Sequence, residues 1–110
     1  MREAGLIDRL LLLFKRRQPV RVSGDSMLPT LSDGDVVLVA RRSSITVGDI
    51  VVADHPFKSS VIILKRVASI EVGRIELRGD NPGESSDSRS FGKIPKEAIR
   101  GKVVCRLKQR

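Results

Sequence analysis

The sequence contains no tryptophan, no tyrosine and only three phenylalanines, Phe14, Phe57 and Phe91. Surfaces that stack bases draw on aromatic rings, so single-stranded nucleic acid is a poor partner. The only cysteine, Cys105, excludes an intrachain disulfide and fits a reducing compartment. One cysteine and one histidine, His55, cannot make a structural zinc site, and no cofactor or metal is expected. Long apolar runs are also missing. The most apolar stretch is residues 6–14, Leu-Ile-Asp-Arg-Leu-Leu-Leu-Leu-Phe. A membrane span takes about 20 such residues, and Asp8 and Arg9 interrupt this one. Its basic block, Lys15 to Arg17, follows the apolar run, whereas a signal peptide carries basic residues in front of it. Residues 1–18 are therefore expected to form an amphipathic helix that packs on the domain, or alternatively lies on a membrane surface through residues 6–17.

What is present is charge and β-branched sequence. The net charge is +8 over 110 residues. Seven basic residues between Lys93 and Arg110 face the single acid Glu97. The positive residues are spread along the chain, as on a solvated surface, rather than gathered into one nucleic-acid patch. Beyond Pro19 short strands are expected at 20–22, 36–40, 50–53, 61–67, 74–78 and 103–107. Gly-Asp turns separate several of them, and 79–93 reads as a polar loop with one helical turn after it at 95–99. The expectation is a mainly β fold, a compact antiparallel domain over 19–110 with a modest core.

Two residues point to chemistry. Ser26 sits in Ser23-Gly24-Asp25-Ser26-Met27-Leu28-Pro29. Gly24 permits a tight bend there, and Met27 and Leu28 can pack the turn on a core. A serine hydroxyl is a weak nucleophile and needs a base. His55, just before Pro56 in a loop, allows a Ser-His-Asp arrangement on paper. Lys65 is the stronger base. Strand alternation puts it on one face with Val61, Ile63 and Val67. Burial in such a face disfavours the ammonium and favours the neutral amine. The competing reading is an edge lysine that keeps its ammonium in water. The motif is not the Gly-x-Ser-x-Gly elbow, because Leu28 occupies the second glycine position.

These residues resemble the type I signal peptidase family of Ser-Lys proteases. Gly24 to Leu31 is similar to its nucleophile box and Val47 to Val52 to the structural box that follows. Leu64-Lys65-Arg66-Val67 is similar to the general-base box. Gly79-Asp80-Asn81, with 85–89 and Phe91-Gly92, is similar to the last box. The resemblance implies that Ser26 attacks the scissile carbonyl and Lys65 is the general base. It implies that Ser85 orients the lysine, that Asp87 and Arg89 form a supporting ion pair, and that Asp80 holds the loop. Gly24 falls where some members carry an oxyanion-hole serine. Neither the transmembrane anchor nor the large insertion before the last box, both common in the family, is read in this sequence, and a catalytic core alone is expected.

One branch looks closer in its details, the nickel-type superoxide dismutase maturation proteases. His55-Pro56-Phe57-Lys58, Gly79-Asp80-Asn81-Pro82 with Glu84-Ser85, and Ser88 to Gly92 with Ile94-Pro95 carry that likeness. It implies a cytoplasmic endopeptidase that removes an N-terminal propeptide from a nickel superoxide dismutase precursor, bound as an extended peptide. The alternatives are removal of leader peptides at a membrane surface, a non-catalytic basic binding module, and a self-cleaving repressor core.

Overall fold

Unbroken apolar runs, the pattern of strands covered on both faces, set the centre of the fold. In the computed structural model, which describes residues 2–3, 17–41, 44–84 and 88–108, these runs become the inner strands of one curled sheet. The strands are β1 (Arg2–Glu3), β2 (Arg17–Arg21), β3 (Val36–Arg41), β4 (Ile50–Asp54), β5 (Ile62–Glu71), β6 (Arg74–Arg78), β7 (Ile94–Pro95) and β8 (Ile99–Lys108). Their order is β2-β3-β8-β4-β5-β6-β7, and every pair along it is antiparallel. The short β1 adds a parallel pair to β8 at Cys105 and Arg106. The mainly β, antiparallel domain expected from the sequence is the one observed.

Strand β4 divides the core. Ile50 and Val52 join Val22, Met27, Leu31, Val37, Val39 and Val103 on one side, with Leu64 packed against them. Val51 and Ala53 join Val67, Ile75, Leu77 and Ile94 on the other. Gly101 of β8 lets the strands close at the centre: a Cβ there would lie 2.6 Å from the Ala40 carbonyl oxygen. No conformational argument is needed, only space.

Several boundaries differ from the expectation. Strand β5 runs on to Glu71 and β8 begins at Ile99, because pairing with neighbours extends each strand past its apolar stretch. Val61 lies ahead of β5 and is exposed. The expected helical turn is a short 3-10 turn at Lys96–Ala98. The polar loop contains another at Pro82–Glu84 and one turn of helix, α1 (Ser88–Phe91). The N-terminal helix expected over 1–18 falls, for residues 4–16, outside the described residues. At its margins Arg2–Glu3 and Arg17–Gln18 belong to strands, and Pro19 lies inside β2 rather than ending a helix. Pro19 is tolerated there because β2 is the first strand of the sheet order and, among the described strands, pairs only β3.

Candidate active site

Ser26 and Lys65 are 39 positions apart in sequence and line the same cleft, of about 290 Å³. One wall is Val20 to Ser23 with Ser26 and Met27; the other is Ile62 to Lys65. Each wall has a strand edge. Strand β2 pairs β3 alone, and Ile62 to Lys65 pair only β4 among the described strands. Lys65 is 5% exposed and pairs across the sheet with the fully buried Val51. That burial excludes a lysine reaching into open water, and it agrees with the apolar face read from Ile63 and Val67.

The Ser26 turn is built by packing and by backbone hydrogen bonds. Met27 and Leu31 are its buried anchors. The Leu31 amide donates to the Met27 carbonyl at 2.9 Å, and the Leu28 amide to the Asp25 carbonyl at 3.2 Å. Gly24 adopts φ +83°, in the left-handed region, while its amide donates to Asp33 Oδ1 at 2.8 Å. Asp35, itself buried, accepts from the Ser32 amide at 2.9 Å and closes the turn that leads into β3.

The loop after β6 holds this turn from the far side. The Asn81 amide donates to the Ser26 carbonyl at 2.9 Å, and Asn81 Nδ2 to the Asp25 carbonyl at 3.1 Å. Asp80 accepts the Thr30 hydroxyl at 2.6 Å and both Nε and Nη2 of Arg66, at 2.9 and 2.7 Å. Arg66 Nη1 reaches the Gly48 carbonyl at 2.7 Å. The forked, charge-assisted pair holds the Asp80 carboxyl below the usual carboxylate range, with the Thr30 hydroxyl adding to the effect. The same pair raises Arg66 above the ordinary arginine value. Four of the sequence blocks singled out above thus meet: the serine turn, the Gly48 turn, β5 and the Gly79–Asn81 loop.

The Peptidase S24-like profile matches residues 16–104, most of the chain and all of this site. The chain belongs to the Peptidase S24-like family. Among known proteins it is similar to mitochondrial inner membrane protease subunit 1. The Xenopus tropicalis protein is 38% identical over 109 residues, covering 77% of this chain and 65% of the relative. The Schizosaccharomyces pombe protein is 34% identical over 109 residues, covering 77% and 69%. The Homo sapiens protein is 33% identical over 112 residues, covering 80% and 68%. The chain thus spans about two-thirds of the length of these relatives.

Within this family member the residues read from sequence fare unequally. Ser26, Lys65, Gly24 and Asp80 gather around the cleft and the loop that braces it. Arg89 is exposed on α1. Ser85 and Asp87 fall outside the described residues. His55 does not line the cleft. Its Nδ1 accepts the amides of Phe57 and Lys58 at 3.0 and 3.1 Å, and its ring packs on Phe91 with centroids 5.4 Å apart. Those hydrogen bonds organise the β4–β5 hairpin and the ring contact ties it to α1, so a Ser-His arrangement is set aside. Three contributors lay inside the matched boxes without being given a role: Thr30, Arg66 and Asn81. Arg66 did carry a signal, a second cation in an apolar strand on the face opposite Lys65. Asn81 carried only its place in the last box, which assigned it no role.

Proposed function

We propose that the chain is a Ser-Lys endopeptidase of the signal-peptidase type, cutting leader segments from precursor proteins at a membrane surface. The observation that carries this reading is that Ser26 and Lys65 line one cleft between two strand edges. A substrate segment lies extended there, bonded through its main chain to the edges of β2 and β5. Ser26 Oγ attacks the scissile carbonyl carbon, and neutral Lys65 Nζ takes the hydroxyl proton. The lysine then gives that proton to the leaving amine as the C–N bond breaks, leaving an ester on Ser26. Water, deprotonated by Lys65, attacks the ester and releases the new carboxyl end. Burial of Lys65 supports its role as base, since a desolvated ammonium gives up its proton more readily.

The membrane part of the reading is supported by the relatives, which are named as inner membrane proteases. Among the described residues no helix is long and apolar enough to cross a membrane. The narrower reading, maturation of a nickel superoxide dismutase precursor in the cytoplasm, rests on sequence likeness alone. The relatives favour the membrane reading over it.

The test is incubation of purified protein with leader-bearing precursors, the superoxide dismutase precursor among them, with and without anionic vesicles. New N-termini are read by mass spectrometry. Cleavage should vanish in Ser26→Ala and in Lys65→Ala, and wild-type rates in either variant would end the dyad assignment. Cleavage confined to the dismutase precursor, indifferent to vesicles, would restore the cytoplasmic reading.

A further inference from the structure

The cleft holding Ser26 and Lys65 continues past Ile62. Val20, Val52 and Ile62 are shared with a second cavity of about 420 Å³, whose lining also includes Val39, Arg41 and Arg100. Its floor is apolar, with Val39 and Val52 each 4% exposed. Its two cations are not alike. Arg100 Nε lies 2.5 Å from Asp54 Oδ1, so a carboxylate already answers its charge. Arg41 donates from Nε and Nη2 to one neutral oxygen, Gln18 Oε1, at 3.0 and 2.5 Å. Among the described residues Arg41 meets no carboxylate. Gln18 thus engages Nε and Nη2, and Nη1 takes no part in that contact while Arg41 lines the cavity.

We infer that Arg41 forms an anionic subsite, taking the side-chain carboxylate of an Asp or Glu in the bound peptide. This rests on the reading of the Ser26–Lys65 cleft as a peptide site. A planar guanidinium matches a carboxylate with two parallel hydrogen bonds, and one held in advance loses less freedom on binding. Distance fixes the position. Extended chain rises about 3.3 Å per residue, so the three steps from Lys65 to Ile62 span about 10 Å. The acidic residue then lies about three to five positions from the scissile bond, on the side of the peptide that runs over Ile62.

Two measurements test this. In the first, a proteome-derived peptide pool is digested and the cut sites are aligned. Asp and Glu should be enriched at one position in that window, and Arg41→Glu should replace them with Lys and Arg. A pool cut without acidic enrichment, or enrichment that persists in Arg41→Glu, overturns the subsite while leaving the peptidase reading intact. A pool left uncut by wild type counts against the peptidase reading instead. The second measurement then decides the subsite, using fluorescence polarisation of labelled extended peptides on Ser26→Ala. A peptide with Glu at that position should bind about fivefold more tightly than its Gln analogue at low salt, less so at high salt. The difference should disappear in Arg41→Gln. Equal binding of the two peptides overturns the inference.

Discussion

Strand β5 changes partners halfway. From Ile62 to Lys65 it pairs β4, and its other edge borders the cleft below the Ser26 turn. From Arg66 onward it pairs β6, and near Val67 its other edge is closed by the Gly48–Asp49 turn. There the Val67 amide donates to the Asp49 carbonyl at 2.8 Å and the Gly48 amide to the Val67 carbonyl at 2.9 Å. Arg66 is the residue paired on both sides, with Ile50 and with Arg78. The difference teaches how a small sheet makes a site. At Arg66 and Val67 the strand is bonded on both sides and braced by an ion pair. The adjoining stretch leaves one edge bordering the cleft, where the proposed peptide would lie, and puts a buried lysine beside it. Lys65 and Arg66 are neighbours with opposite tasks.

The sharpest way to break this comparison is to exchange each cation for a methionine of similar length. Lys65→Met should lower kcat/KM by at least about a thousandfold, as loss of a base that activates a nucleophile does. Its stability should change by less than about 1 kcal/mol, since methionine keeps the apolar contacts of the lysine stem in that buried site. Arg66→Met should do the reverse, costing about 1–2 kcal/mol, between the exposed and buried limits for ion pairs. Its cleavage should fall by only about tenfold, through slackening of the Asp80–Thr30 contact that positions the serine turn. Chemical denaturation and steady-state kinetics on both variants suffice. A stability loss in Lys65→Met larger than in Arg66→Met would mean that the two roles have been assigned the wrong way round.

A second test uses pH. Asp80 has its folded pKa lowered by Arg66, so its contribution to stability is present above the unfolded carboxylate value. It is lost as pH falls through the folded value. The unfolded value is about 3.9, so the loss belongs below about pH 4. Arg66 is shifted upward, and its share is present throughout the range below the ordinary arginine value. Thermal melts of wild type and Asp80→Asn should therefore differ at neutral pH and converge in acid. Curves that stay parallel down to pH 3 would remove the ion pair from the account of the brace.

Much of this was legible in the chain. Val, Ile and Leu in alternating or unbroken runs gave the strands, and the apolar neighbours Ile63 and Val67 gave the burial of Lys65. The Ser26 turn was legible because Gly24 and the apolar pair Met27-Leu28 leave few alternatives for its shape. What escaped depends on contacts far apart in sequence. Nothing local to Asn81 or Thr30 says that one will bond the serine turn and the other Asp80, 50 residues on. Gly101 escaped for the same reason: its need for space comes from Ala40 on another strand. The change of partner at Arg66 is a property of the sheet order, and the sequence of β5 alone reads as one continuous strand.

The smallest expected effect separates two glycines on segments that touch across the brace. Gly24, in the serine turn, has φ +83° and nothing within 4 Å of where a Cβ would stand. Gly83, after Asn81, has no left-handed φ, and its Cβ would meet Asn81 Oδ1 at 3.9 Å, an ordinary contact. Neither substitution meets a steric block, so only backbone conformation distinguishes them. Gly24→Ala should cost about 1 kcal/mol, because an L side chain is strained in that region. Gly83→Ala should be neutral or gain up to about 1 kcal/mol, because alanine restricts the unfolded chain at no cost to the folded one. Paired denaturation curves measure both. Equal losses at the two positions would show that crowding, rather than the left-handed turn before Ser26, governs this wall of the cleft.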